Sequence, residues 1–319
     1  MSRPTIEIEG VTRTFGGLAA VRDLDFAVRG AACVGLLGPN GAGKTTTLKI
    51  LTDLIFPTRG ECFLNGHSVR RDRQRALNGV GVLIETPEIY PSLTGVQALR
   101  YVCEIRRIPR SEQRKVISEV LEEVGMSAWG SRKIGTLSKG MRQRINLATA
   151  LVASPEIVIL DEPSSGLDPR GIVDFREIVL RLRQEGRLVL LSSHILPEVE
   201  AICDQVALID HGKLILHTAL SDVHHSSERR GAWFAALFDR PVDDPLVSGA
   251  IRDLPFVDRW ERRAANEIRF HVTETLSSEH LLLEALVANR TGLRRLQPLR
   301  SDLEELYMSL VAEGESNGT

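Results

Sequence analysis

The chain has 319 residues, 43% of them hydrophobic and 26% charged, enough to bury a sizeable core; at about 150 residues per domain this suggests two units and excludes disorder for most of the length. Forty Lys and Arg against 42 Asp and Glu leave a formal charge of -2, so no overall basic field advertises nucleic acid or an anionic membrane surface. The longest uninterrupted apolar run, Ala232 to Phe238, falls far short of the ~20 residues that span a bilayer, and Met1-Ser2-Arg3-Pro4 lacks the apolar stretch of a signal peptide; the expectation is a cytosolic chain with no membrane span of its own.

Residues 5–9 and 25–37 alternate or run apolar like strands, the second ending in the buried run Ala31 to Leu37. Gly38-Pro39-Asn40-Gly41-Ala42-Gly43-Lys44-Thr45 follows and matches GxxxxGK[ST], and Thr46 to Leu51 continues with helical periodicity. Strand, loop and helix therefore stand in the order a phosphate site requires. Glycines let consecutive backbone N–H groups turn inward around an anion, and the helix N-terminus adds partial positive charge. Lys44 is placed to reach β- and γ-phosphates, with the Thr45 hydroxyl on Mg²⁺.

Leu137-Ser138-Lys139-Gly140-Met141 opens a helix expected to run to Ala153. Ser138 suits an N-cap and Gly140 leaves backbone open, so this is a second phosphate-facing helix terminus. The apolar strand Ile157 to Leu160 ends in Asp161-Glu162, at the strand end where open α/β sheets bind ligands. Asp161 is placed to hold Mg²⁺ through water and Glu162 to polarise a water for attack on the γ-phosphate, although a solvated acidic pair fits that position equally well. A third strand, Leu188 to Leu191, leads through Ser192-Ser193 to His194. A phosphate loop with a strand-end Asp suits GTPases, kinases, helicases and motor ATPases alike. No Asn is followed by Lys, which removes the usual guanine-reading element.

Beyond Ile215 the pattern reads strand 232–238, helix 244–253, strands 256–262 and 267–272, helix 277–289 and strand 293–297, the βαββαβ order of a small ferredoxin-like unit. A last helix over 301–312 opens with the capping box Ser301-x-x-Glu304 and carries Leu303, Leu306, Leu310 and Val311 on one face. Residues 313–319 read as a frayed tail. Cys33, Cys62, Cys103 and Cys203 are too scattered for a disulfide framework or zinc site and read as reduced core residues. His211, His217, His224 and His225 read as a surface stretch rather than a metal cluster.

From about Ile6 to Ile215 the chain resembles the nucleotide-binding subunit of the ATP-binding cassette (ABC) transporter family. Five elements carry the resemblance in the family's order: Walker A at Gly38 to Thr46, the signature at Leu137 to Met141, Walker B at Ile157 to Glu162, the D-loop Ser165-Gly166-Leu167-Asp168, and the switch histidine His194. Phe15 matches the aromatic that stacks on adenine. The resemblance implies an α/β P-loop cassette over residues 1–220, with a helical signature subdomain at about 86–153, and a C-terminal α+β unit over 221–319. It further implies ATP and Mg²⁺ as ligands and a transport-coupled ATPase. Ser138 and Gly140 would act on the ATP held by Lys44 of a second copy, so that two chains clamp two ATP, with Asp168 and His194 reporting across the interface.

Two positions depart from the common family pattern. Glu85 stands where the Q-loop glutamine is usual, and the signature reads LSKGM rather than LSGGQ. Both resemble the bacitracin- and daunorubicin-resistance type of export ATPase. Glu85 still offers an oxygen to Mg²⁺ or the attacking water, with a full negative charge. Ile89, Tyr90 and Leu93 would form a socket for a separately encoded permease, or else Tyr90 and Leu93 simply pack the helical subdomain. The resemblance places the protein on the cytoplasmic face of the membrane through that permease. A soluble ABC ATPase acting on ribosomes, DNA or iron–sulfur assembly is the alternative; one cassette without sustained heptads or a basic stripe favours transport.

Overall fold

The computed structural model describes residues 3–85, 90–227, 232–252, 254, 257–272, 275–298, 303–304, 306–308 and 310. It divides into two compact units, Met1–Thr218 and Ala219–Thr319.

The first unit opens with β1 (Thr5–Phe15) and β2 (Leu18–Arg29), an antiparallel pair. The apolar stretch expected to be one strand over 25–37 is two strands in different sheets, β2 and β3 (Ala32–Leu37). Burial explains the break. Along β2 buried and open positions alternate, so one face is covered, whereas every residue of β3 is buried, as in a central parallel strand. Helix α1 (Lys44–Leu51), β4 (Arg59–Leu64), β5 (His67–Ser68), α2 (Arg73–Ala76) and β6 (Val80–Leu83) follow. Helix α1 begins two residues earlier than the periodicity suggests, because Gly43 rather than a polar side chain caps it.

Three helices then form the middle of the unit: α3 (Gly95–Ile105), α4 (Arg110–Glu123) and α5 (Lys139–Leu151). Thr94 starts α3 with a capping box, its hydroxyl accepting from Gln97 N while its own N–H donates to Gln97 Oε1 at 2.8 Å. Helix α5 stops at Leu151, two residues short of the expected Ala153. The remaining elements are β7 (Ile157–Leu160), α6 (Pro169–Gln184), β8 (Leu188–Ser193), α7 (Leu196–Ile202), β9 (Gln205–Asp210) and β10 (Lys213–Ala219).

Two sheets result, a four-stranded β2-β1-β4-β5 and a six-stranded β10-β9-β3-β8-β7-β6. Strands β9, β3, β8, β7 and β6 run parallel. One buried cluster joins Ile6 and Leu24 of the first sheet, Leu48 and Leu51 of α1, and Ile159 and Leu190 of the second. The parallel register aligns Leu37 with Ser193, Leu160 with Leu191 and Leu83 with Leu160. The segments beginning at Gly38, Ile84, Asp161 and His194 therefore leave the sheet at one common edge, the carboxyl edge where such sheets bind ligands.

In the second unit, after α8 (Leu220–Ser227), come β11 (Ala232–Phe238), α9 (Pro245–Arg252), β12 (Val257–Ala264), β13 (Glu267–Val272), α10 (Thr275–Ala288) and β14 (Leu293–Pro298). The sheet order β12-β13-β11-β14 is antiparallel throughout, so each helix crosses over an intervening strand, as in a ferredoxin-like fold. Phe234, Phe238, Phe270 and Val272 pack with Val247, Ile251, Leu282 and Leu286 in its own core. The described positions between 303 and 310 are helical and Leu303 is buried; Ser301, Val311 and residues 313–319 lie outside the described residues.

Among the described residues no helix is long and apolar enough to cross a membrane, and no group of three metal-binding side chains is present. His217 bonds Gln205 at 2.9 Å and packs on Phe26; the side chains of His224 and His225 lie outside the described residues. All four cysteines are free and buried. Phe270→Ala is expected to destabilise the C-terminal unit by about 3–5 kcal/mol, measured in urea as an earlier transition for that unit while the transition of residues 1–218 stays in place.

Candidate functional site

The loop between β3 and α1 owes its shape to what crowds it. A side chain at Gly38 would collide with the Ile209 carbonyl, and one at Gly43, where φ is 106°, would meet the Ala20 carbonyl. Only glycine fits both places. Lys44, at the first turn of α1 and 5% exposed, donates from Nζ to the carbonyls of Gly38 at 2.8 Å and Pro39 at 3.1 Å. Its ammonium lies 3.9 Å from Glu162 Oε1. Burial lowers the Lys44 pKa below its ordinary value, and the carboxylates of Glu162 and Asp161 pull the other way. Lys44 thus spans its own loop, with its charge held by the carbonyls of Gly38 and Pro39.

Asp161, one residue past β7 and nearly buried, is held from two elements. The Thr45 hydroxyl donates to both its oxygens, at 2.9 and 3.1 Å, and the Ser192 hydroxyl donates to Oδ1 at 2.6 Å. Ser192 Oγ also accepts from the Glu162 N–H at 2.8 Å. Glu162 adopts a left-handed backbone, φ 42°, which strains a non-glycine residue. His194 Nδ1 lies 3.2 Å from Glu162 Oε1. Thr45 and Asp161 make a converging all-oxygen set, the donor chemistry that suits a hard dication such as Mg²⁺.

The remaining site candidates divide into two places. Phe15 ends β1 and is 45% exposed, with the Arg13 guanidinium 4.4 Å over its ring. Pro39, Asn40, Gly41, Ala42 and Thr46 belong to the loop and first turn around Lys44. Ser138 caps α5, its hydroxyl accepting from Met141 N at 3.3 Å, and Asp168 caps α6 by accepting from Gly171 N at 2.8 Å. Ser138, Gly140, Asp168, Arg144 and Trp129 line a cavity of about 420 Å³ to which no residue of 38–46 contributes. The signature and phosphate loop of one chain therefore face different spaces.

Glu85 sits two residues past β6 with φ 58°. Its carboxylate is paired with Lys49 Nζ at 2.5 Å, a partner that the motif pattern, which points Glu85 toward Mg²⁺ or water, does not indicate. Tyr90 is 72% exposed and Leu93 is half-buried, while Ile89 lies outside the described residues.

The family model described as ABC transporter matches residues 21–165. An uncharacterized ABC transporter ATP-binding protein of Bacillus subtilis, YhcH, is 38% identical over 312 residues, 98% of this chain and 97% of that protein. The chain belongs to the ABC transporter ATP-binding proteins. The bacitracin transport ATP-binding protein BcrA of Enterococcus faecalis is 35% identical over 225 residues, 70% of this chain and 72% of its own. A solved ATP-binding subunit of an ABC transporter superposes with a TM-score of 0.62 at 28% identity, covering 69% of this chain and 92% of its own. The cassette is thus an ATPase of this family.

Ser192, Gln143 and Lys49 contact residues of this edge in ways that the motifs do not announce. Gln143 Nε2, in the signature helix, donates to the Pro163 carbonyl just past Walker B at 3.0 Å. A cue for Ser192 exists in the chain: it is polar at the end of the apolar run that leads to the switch histidine. Ser192→Ala is expected to leave Asp161 short of one donor and the Glu162 N–H short of its acceptor. We expect a loss of about 1–3 kcal/mol of stability and a drop in ATP turnover, measured by urea unfolding and phosphate release on the same preparation.

Proposed function

We propose that the chain is the Mg²⁺-dependent ATPase subunit of an exporter: two copies close around two ATP and drive a separately encoded permease at the cytoplasmic face of the membrane. The observation that carries this reading is the single-chain geometry of Glu162. Its carboxylate is set at a strand end between the Lys44 ammonium and the His194 ring, 3.9 and 3.2 Å away, whereas the signature terminus lines a different cavity. One chain then holds the base and phosphate loop, and the second phosphate-binding terminus must come from another copy.

In this reading the Lys44 ammonium exchanges its two loop carbonyls for β- and γ-phosphate oxygens. Phe15 offers its exposed ring to the adenine. Thr45 and Asp161 hold the metal ion, which supplies charge neutralisation at the phosphates when bound. Glu162 accepts the proton of the attacking water at Oε, and His194 fixes that carboxylate and bears on the γ-phosphate. Ser138 and Gly140 of the second copy present the α5 N-terminus to the same phosphate, with Asp168 beside them. Loss of the γ-phosphate removes what both chains grip, which opens the clamp. The LSKGM signature, Glu85 and the likeness to a bacitracin transport ATPase support export, and exposed Tyr90, Tyr101 and Ile105 support a permease-facing surface around α3.

The deciding experiment is recovery of tagged protein from solubilised membranes, as wild type and as Glu162→Gln, followed by mass spectrometry. We expect Glu162→Gln to bind ATP, to turn over about 10²–10⁴ times more slowly, to dimerise with ATP and to bring down a polytopic membrane protein. Recovery of only ribosomal, nucleic-acid or iron–sulfur assembly partners would replace the exporter reading by a soluble ABC ATPase. Lys44→Ala is expected to abolish ATP affinity in equilibrium dialysis; retained affinity would sink the phosphate-loop assignment.

A further inference from the structure

Glu85, where the family pattern usually has glutamine, carries a charge whose partner in the nucleotide-free cassette the motif pattern does not indicate. The structure gives it a counter-ion. Lys49 lies on α1 one turn beyond Thr45, and its Nζ reaches Glu85 Oε1 at 2.5 Å. Its position in the last turn of α1 suits a cation on the helix dipole, which accounts for a lysine there but not for where its side chain points. Glu85 pairs while holding a left-handed backbone, a conformation that surrounding contacts must offset.

The placement of Glu85 links this pair to the metal-holding residues. Strands β6 and β7 are parallel neighbours with Leu83 opposite Leu160, and Asp161 N donates to the Leu83 carbonyl at 2.8 Å. Glu85 and Asp161 thus leave adjacent strands at the same edge, and Lys49 and Thr45 stand one turn apart on the helix facing them. The pair is also open to solvent, with side-chain exposures of 28% for Lys49 and 67% for Glu85. Such a pair is screened and weak, and it can be exchanged for a stronger cation.

We propose that Lys49 is a positioning residue for Glu85: in the nucleotide-free cassette it holds the carboxylate at the carboxyl end of β6 against α1, and it yields that carboxylate when magnesium nucleotide loads. This rests on the proposed ATPase reading. A carboxylate prefers a hard dication to an ammonium, so Lys49 sets how much Mg²⁺ is needed to draw Glu85 away. A glutamine could not be held by charge in this way. The Glu departure and the lysine of α1 then form one device, which ties nucleotide loading to the carboxyl end of β6.

The test is equilibrium binding of a fluorescent ATP analogue at varied free Mg²⁺, a readout independent of turnover. Lys49→Met should lower the half-saturating Mg²⁺ about two- to five-fold, the range of a screened ion pair. Lys49→Arg should keep the wild-type value, as should the charge-swapped Lys49→Glu with Glu85→Lys for melting of the nucleotide-free protein. In a Glu85→Gln background the Lys49→Met change should have no effect. Equal shifts in both backgrounds would show that Lys49 acts directly on the nucleotide and overturn the proposal, as would no shift or an increase in the Glu85 background. If Lys44→Ala binds the analogue as tightly as wild type, both the phosphate-loop reading and the exchange fall; if binding depends on Lys44 but the Lys49 shifts are equal, only the exchange falls.

Discussion

The carboxylate of Asp161 is the point on which the carboxyl edge of the parallel sheet depends. A nearly buried charge is costly unless hydrogen bonds compensate it, and here Thr45 and Ser192 do so from α1 and β8. Three elements distant in sequence are thereby drawn to one point. The same Ser192 oxygen accepts the Glu162 N–H, so the residue that fixes the Asp161 carboxylate also fixes the backbone of Glu162. Glu162 can keep its left-handed conformation because its amide is anchored on one side and its carboxylate meets His194 on the other.

That arrangement needs a rigid platform, which the fully buried strands β3, β7 and β8 provide. Parallel strands covered on both faces read as continuous apolar runs, and their ends are where polar side chains first reappear. Chemistry at the sheet edge is then a consequence of the fold class: the apolar interior excludes charged groups, and the first residue past each strand is free to carry one. Lys49 and Glu85 extend the same logic outward. They lie at the rim of this edge, where exposure weakens an ion pair enough for it to act as a latch rather than a brace.

Much of this site is legible in the amino-acid sequence. The phosphate loop, Asp161-Glu162, His194 and the Ser138 cap are contiguous motifs whose chemistry is local, and each sits in the cassette where its flanking periodicity puts it. The βαββαβ order of the C-terminal unit is also readable from alternation and helical spacing, with strand and helix ends off by a residue or two. The break at Gly30 is marked only by Arg29-Gly30, too short an interval for alternation to distinguish one long strand from two strands of different sheets. The Glu85 partner is not readable, since Lys49 stands 36 residues away in a segment whose pattern says only helix.

Sequence by itself determined what kinds of group this protein uses: a glycine-rich anion loop, a buried strand ending in carboxylates, a capped signature helix. These depend on neighbours within a few residues and on backbone preferences that act at short range. Tertiary structure alone decided which groups meet. Ser192 reaches Asp161, and Glu85 leaves the sheet beside it, because β6, β7 and β8 pair in one parallel register; Glu85 then meets Lys49 because α1 follows the loop on β3. Register between parallel strands is set by the packing of the whole buried layer, and no local stretch of chain encodes it.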